Sequence, residues 1–268
     1  MLATTAELSR RIEDAASQYQ RARFSGPGNP LGTQVLKRGA MFATKVPFSP
    51  QNGLMNSVHG LDDPALLPEV LAFYAATEQA CWVSVPPYVS TTVTDALAAA
   101  AFRVESYSSA MVAQPVPEAP CGQIDVREAA REELDVFLDT MNFGFDQNTA
   151  MLANLRRNQS FWCDVPDWHL FLARVRGEPA GAAVLSIHGD IGYLAAGSVL
   201  PPFRARGVHT ALIGARLERA RARQCGIVCG NAAWGSQSQR NQQRAGLTIA
   251  YVKSIWTNQR ARSAPSTT

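Results

Sequence analysis

The sequence contains no apolar run close to the about 20 residues that a helical membrane span needs. Its first 15 residues carry Glu7, Glu13 and Asp14 and lack the apolar block of a signal peptide, so a cytoplasmic protein without a membrane partner is expected. Charge of one sign is scarce too. With 25 Lys and Arg against 22 Asp and Glu, the net charge of +3 is too small to argue for nucleic acid. The five cysteines, Cys81, Cys121, Cys163, Cys225 and Cys229, form an odd, scattered set. Cys225 and Cys229 have no second pair of Cys or His to complete a zinc site, so no metal is expected and the thiols read as reduced and mostly buried. No Gly-Lys-Ser/Thr triplet occurs, which excludes a P-loop, and no turn holds the three glycines of a dinucleotide fingerprint. A Ser-His-Asp pattern is also absent.

What remains is a globular chain of 268 residues, 46% apolar and 18% charged, long enough for two modest domains. One stretch organises the second of them: Val199-Leu200-Pro201-Pro202-Phe203-Arg204-Ala205-Arg206-Gly207-Val208-His209-Thr210-Ala211-Leu212. An apolar strand over 191–199 runs into a basic turn, and the turn opens a helix. The first N–H groups of such a helix have no partner within it and carry the positive end of its dipole, so an anion, phosphate above all, fits there. Gly207 lets the chain approach closely, Arg204 and Arg206 add charge, and the Thr210 hydroxyl can donate.

The order Val199-x-Pro201-x-x-Arg204-x-x-Gly207-Val208 resembles the pyrophosphate-binding motif of the GNAT superfamily of acetyl-CoA-dependent N-acyltransferases. A second stretch, Gly235-Ser236-Gln237-Ser238-Gln239-Arg240-Asn241 with Arg244-Ala245-Gly246-Leu247, is similar to the later helix of many bacterial members. The resemblance covers roughly residues 123–257. It implies acetyl-CoA as co-substrate, with Arg204, Ala205, Arg206, Gly207, Val208, His209 and Thr210 at the diphosphate and Ser238 and Asn241 nearby. Backbone groups of Ser198 and Val199 are expected to pair with the pantetheine arm, where this strand splays from its parallel neighbour. Small residues Ala195, Ala196 and Gly197 suggest a bulge or a close backbone approach there.

The proton-handling groups depart from the family pattern. Gly235 and Gln242 occupy the positions of the usual Asn and Tyr, and residues 191–198 hold no carboxylate. Ser238, one turn before Gln242, and Tyr193, the only titratable side chain of the strand, join Gln242 as catalytic candidates. His209 stands where the motif prefers Gly or Ala and is expected to face solvent. Phe143, Phe145, Phe161, Trp162 and Trp168 read as core or as the wall of an acceptor pocket, with Phe161, Trp162 and Tyr193 the substrate candidates. The resemblance implies direct transfer of acetyl to the amine of a small molecule, with no covalent enzyme intermediate. A longer acyl group is an alternative, and so is a CoA-sensing or interaction module with little turnover. The partners expected are acetyl-CoA and a small amine, for a monomer or homodimer.

The expected fold is α/β (α+β), two GNAT-like mixed-sheet domains in tandem with splayed parallel strands flanked by helices. Residues 1–113 read as a degenerate copy, because a β-α-β-α-β succession recurs there but its turn, His59-Gly60-Leu61-Asp62-Asp63-Pro64, repels phosphate. Asn52, Asn56 and His59 flank this turn and read as capping strand ends and satisfying turns, with His59 a loop residue, the alternative being that they face a cleft between the halves. Residues 114–122, with Pro115, Pro117, Pro120 and Gly122, read as a linker, and 123–257 as the CoA-binding domain. Residues 258–268 are expected to be a disordered tail. In the helix after Gly207, the late arginines Arg216, Arg219, Arg221 and Arg223 are expected to face solvent, with Gly226 as C-terminal cap.

Overall fold

The structure is a computed structural model that describes residues 5–24, 26–47, 49–75, 79–119, 124–145 and 149–259. Residues 120–122 of the expected linker and 260–268 of the expected tail lie outside the described residues. The chain forms two compact units, and their make-up differs from two sequential halves. Unit 1 comprises residues 1–31 and 108–252; unit 2 comprises 32–107 and 253–268.

The first helix explains part of the difference. Thr5 caps α1 (Ala6–Arg23), its Oγ1 accepting the Leu8 N–H at 3.1 Å, a cap that stabilises a helix by about 1 kcal/mol. Leu8, Ile12, Ala15, Ala16 and Tyr19 recur every three or four residues and are all buried. They pack with Phe137, Leu138 and Met141, and with Tyr193 and Ala195, residues far along the sequence. Proximity in sequence ties α1 to nothing; its apolar face belongs to the core of unit 1.

Unit 2 contains β1 (Gln34–Arg38), β2 (Met41–Lys45), β3 (Ser57–His59), α2 (Leu67–Ala75), β4 (Trp82–Val85) and α3 (Thr91–Ala99). Strand β1 pairs antiparallel with β2, β2 antiparallel with β3, and β3 parallel with β4. The other edge of β4 is taken antiparallel by residues 254–257. Met41, Val58, Val70, Val83, Val93 and Leu97 form its core. Asn56 is fully buried and satisfied: it accepts the Val46 N–H and donates to the Ser49 and Asn52 carbonyls. His59 stacks on Phe42 with ring centroids 5.0 Å apart. Asp63 Oδ1 accepts the Ala65 N–H at 2.9 Å, so a carboxylate already fills the turn that the sequence placed there.

Unit 1 is completed by β5 (Arg103–Ala113), which begins in unit 2, and by β6 (Asp125–Glu128), α4 (Leu134–Gly144), α5 (Thr149–Gln159), β7 (Trp168–Val175), β8 (Glu178–His188), β9 (Ile191–Val199), α6 (Val208–Ala222), β10 (Ile227–Ala233), α7 (Gln237–Arg244) and the start of β11 (Thr248–Thr257). Strands β6, β7, β8 and β9 pair antiparallel in turn, β9 pairs parallel with β10, and β10 pairs antiparallel with residues 108–113. Both units thus share one run of pairings, antiparallel then parallel then antiparallel. In each, the last strand comes from the other half of the sequence.

Helix α6 ends earlier than the glycine at 226 suggests. Arg223 is its C-cap, and Gln224, at φ +56°, takes the left-handed position. Among the described residues, no helix is long and apolar enough to cross a membrane.

Candidate functional site

The site is a fork between β9 and β10. Their parallel pairing runs from Ile191–Ile227 to Leu194–Gly230 and stops. Beyond it, β9 stays on β8 through Gly181–Val199, and β10 stays on β5 through Ala233–Ser108. The facing edges of 195–199 and 231–233 are left without each other. A β-bulge opens the fork: Ala183 faces Gly197 and Leu185 faces Leu194, so Ala195 and Ala196 oppose Val184 alone.

The turn below the fork has the expected anion-binding form. Ala205 and Gly207 both adopt left-handed backbone, at φ +61° and +82°. Gly207 is the N-cap of α6, and apart from its chain neighbours nothing lies within 4 Å of where its Cβ would be. Among the described residues, none of the N–H groups of residues 205–210 donates a hydrogen bond, the first engaged amide being Ala211 to the Gly207 carbonyl. Successive free amides at the start of a 15-residue helix make a concave positive surface.

Not every residue of the turn is free for a ligand. The Arg204 guanidinium donates to the Val199 carbonyl (3.2 Å) and the Gly144 carbonyl (3.2 Å), stapling the turn to the ends of β9 and α4. Ser198 is buried, and its Oγ donates to the Met141 carbonyl at 3.0 Å. Arg206 is exposed, its guanidinium 5.9 Å from the Phe203 ring, and Thr210 is half-buried with its hydroxyl uncommitted. Val208 is buried in the core with Leu212.

His209 does not face solvent, contrary to expectation. It is half-buried against α7, where Asn241 Nδ2 lies 3.0 Å from its Nδ1. Asn241 Oδ1 already accepts from Gln237 and Arg244, so Nδ2 is the donor and the His209 proton sits on Nε2. Burial and, secondarily, the nearby Arg216 charge lower its pKa to about 4. A neutral imidazole whose acceptor nitrogen is engaged is no base for an incoming amine.

This depression has a measurable consequence. Between pH 6.5 and about 4 the unfolded chain takes up a proton at His209 that the folded chain refuses, so stability present above pH 6.5 is lost as pH falls through this window. At about 1.4 kcal/mol per unit, His209→Gln is expected to remove up to roughly 3 kcal/mol of the acid destabilisation. Urea melts of both proteins at pH 7 and 4.5 test this, and parallel losses in the two would refute it.

Four further candidates gather at the fork. Tyr193 is buried, its hydroxyl 3.2 Å from Asn231 Nδ2, and burial raises the phenol pKa, so it remains a neutral donor. Gln242 is buried over Gly230, where its Oε1 lies 2.9 Å from the Cβ position and has no partner. Only a glycine leaves room for it. Ser238 sits one helical turn before Gln242, half-buried, with a free hydroxyl. Asn231 Oδ1 is likewise buried and unpartnered.

Trp162 is 1% exposed and meets Trp168 edge-on at 5.4 Å, inside the same core as Tyr193; Phe161 packs against that core, half-buried. Phe143 and Phe145 are exposed. The five aromatics therefore line no common wall.

Besides Asn231, two residues near the site escaped the sequence reading. Tyr19 of α1 reaches it across the core, its ring 5.8 Å from that of Tyr193 and its buried hydroxyl facing the Ala196 backbone amide. Arg216 is 2% exposed rather than solvent-facing. Its Nε donates to the Leu212 carbonyl (2.9 Å), and its Nη1 donates to the carbonyls of Ala195 (2.9 Å) and Val184 (3.4 Å). Val184 and Ala195 are bulge residues, so the guanidinium takes up carbonyls at the break in the ladder. The signal was present in the sequence: Arg216 falls in register with Leu212, Ile213, Leu217 and Ala220, on the apolar stripe of α6.

Residues 134–244 match the acetyltransferase (GNAT) family. A search of curated proteins finds no match. Among solved structures, the chain is similar to a GCN5-related N-acetyltransferase from Kribbella flavida, with 16% identity, a TM-score of 0.63, and coverage of 93% of this chain and 96% of that one. A GCN5-related N-acetyltransferase from Sphaerobacter thermophilus matches at 16% identity and TM-score 0.60, covering 81% and 76%. A tandem GNAT protein from the clavulanic acid biosynthesis pathway matches at 11% identity and TM-score 0.54, covering 98% of both chains. At these identities the likeness is one of fold. The forked parallel strands and the open amide turn lie within the stretch, residues 134–244, that matches the GNAT acetyltransferase family.

Proposed function

We propose that the chain transfers the acetyl group of acetyl-CoA to the amine of a small molecule by direct attack. The observation that carries this reading is the run of unengaged N–H groups at 205–210, directly below the fork. Those amides, Arg206 and the Thr210 hydroxyl suit a diphosphate, and the open edges of 195–199 and 231–233 suit an extended, amide-bearing arm. When bound, acetyl-CoA supplies an activated acyl carbon. The chain's own contribution is to orient that group, exclude water from the fork, and offer neutral donors. The Ser238 hydroxyl and the Gln242 amide stand on one face of α7, and β9 offers the phenol of Tyr193. Among the described residues, none of these groups is a base poised near neutral pH, so the acceptor amine must arrive unprotonated or lose its proton to water.

We further propose that unit 2 is a GNAT-like copy that does not hold CoA. Its support is the shared run of strand pairings, together with Asp62 and Asp63 at the turn that should receive phosphate. A CoA-sensing module is the second reading, favoured by Gln242 where the family usually has a tyrosine.

Release of free thiol from acetyl-CoA across a panel of amines, followed with a thiol reagent, separates the two. Turnover rising with pH between 7 and 9 is expected, as the fraction of free amine grows. Thermal protection by acetyl-CoA with no turnover on any amine would leave the sensor.

A further inference from the structure

Arg216 keeps its positive charge in the interior of unit 1, and its hydrogen bonds go to the carbonyls of Leu212, Val184 and Ala195. Among the described residues it forms no ion pair. Burial lowers its pKa to about 10, as expected of a cation short of solvent and counter-ion. A charge held this way does little for stability, and an apolar side chain of similar length packs as well or better. Stability alone therefore gives no reason for an arginine here. The carbonyls it holds do.

Two of those carbonyls belong to the bulge, where Ala195 and Ala196 together oppose Val184. Arg216 reaches them from the face of the sheet that packs Leu194 with Leu212, Ile213 and Leu217 of α6. The next residue back along β9, Tyr193, belongs to the other core and so to the opposite face. Tyr19 of α1 lies in that second core with Ala195 and Ala196, and its hydroxyl faces the Ala196 backbone amide. The Ala195 carbonyl and the Ala196 N–H are the two ends of one peptide group. Engaged from opposite faces, that peptide stands across the sheet and offers neither end to β10. The parallel ladder stops one residue before it, at Leu194–Gly230.

We propose that Arg216 and Tyr19 are positioning residues that hold the Ala195–Ala196 peptide across the sheet and so keep β9 parted from β10. Without them the peptide turns into the plane, the ladder extends toward residues 231–233, and the fork closes. The clamp stands on the geometry of the strand; its consequence for the ligand rests on the acetyltransferase reading, because the parted edges are those that suit the arm of acetyl-CoA. Tyr19 lies outside residues 134–244, so the first helix helps shape a site that it precedes by more than a hundred positions.

Amide hydrogen exchange and calorimetric titration with acetyl-CoA, both on the full chain, test the clamp through Arg216→Met, Arg216→Lys and Tyr19→Phe. Loss of an ordinary structural contact speeds exchange nearby. Loss of the clamp is expected to slow it at 195–199 and 231–233, because open edges become paired. Methionine keeps an apolar stem and removes the buried charge, so the ligand-free melting temperature should hold or rise. Affinity for acetyl-CoA should nevertheless fall about tenfold, as for a site open in only about a tenth of the molecules. Lysine can still donate to the Ala195 carbonyl and should restore part of that loss. Tyr19→Phe keeps the ring, 4.9 Å from that of Trp168, and should shift exchange and affinity the same way by a smaller factor. Unchanged or faster exchange in a cooperatively melting Arg216→Met overturns the inference. So does an affinity that none of the three substitutions alters. Should Arg216→Met fail to melt cooperatively, Tyr19→Phe decides, and wild-type exchange and affinity there overturn it. Slower exchange in the variants of a chain that binds no acyl-CoA upholds the clamp and removes the acetyltransferase reading.

Discussion

Acetyl-CoA at a hundredfold excess over its Kd is expected to raise the melting temperature of the chain by about 5–10 °C, and that of Gly207→Trp not at all. The first figure follows from linkage. Such an excess stabilises the folded state by about 2.7 kcal/mol, and each kcal/mol moves the midpoint of a chain this size by about 2–4 °C. The second follows from the turn. Gly207 has φ +82° and open space where a Cβ would stand, so the first atom of a side chain there meets no neighbouring element. An indole at this N-cap is expected to crowd the free amides of residues 205–210, the surface that a diphosphate needs. The left-handed backbone adds roughly 1–2 kcal/mol of strain, which lowers the ligand-free melting temperature by a few degrees. Gly177→Trp provides the control: its φ is +85° and its Cβ position is also open, but it lies on the hairpin between β7 and β8. It should show the same strain and keep the full ligand shift. Protection retained in Gly207→Trp would show that the turn holds nothing.

A fragment of residues 114–268, which contains the whole family match, is expected to be insoluble or to melt without a cooperative transition. Co-expression with residues 1–113 should restore it. Strand β10 is paired on one side by residues 108–113, from Val228–Ala113 to Ala233–Ser108, and the fragment leaves this edge bare in the middle of a sheet. It also uncovers the face on which Leu8, Ile12, Ala15, Ala16 and Tyr19 pack, and severs the hydrogen bond from the Tyr251 hydroxyl to Glu13 at 2.7 Å. Each large apolar side chain in such a place contributes about 1.5–3 kcal/mol, so losing several rivals the about 5–15 kcal/mol that a whole domain has. Light scattering and circular dichroism melts decide the matter. A monomeric fragment with a sharp transition and intact acetyl-CoA protection would mean that α1 and β5 are accessories.

Local structure was legible in this sequence wherever it depends on local chemistry. The basic turn announced the start of α6, the stretch from Gly235 to Leu247 announced α7, and the small residues 195–197 announced the bulge. Partnership between distant segments was not legible. No pattern in residues 6–23 names Tyr193 as a neighbour, and nothing in residues 108–113 names β10. The site shows the same division. Gly207 and its turn could be read because a phosphate loop is a contiguous motif. Arg216 and Tyr19 could not, because an arginine on an apolar stripe and a tyrosine on an amphipathic helix acquire meaning only when packing sets them beside one bulge.

The strand borrowing described for the two units governs how the chain can be made. Unit 2 has the outer edge of β4 open until residues 254–257 arrive, and unit 1 has nothing to cover the face of α1 until β9 and β10 exist. On a ribosome, where the N-terminus emerges first, neither unit can close early, and nearly the full length must leave the exit tunnel before either does. The nascent chain therefore carries a bare strand edge and an uncovered apolar helix for most of its synthesis, the interval in which holdase chaperones bind such surfaces.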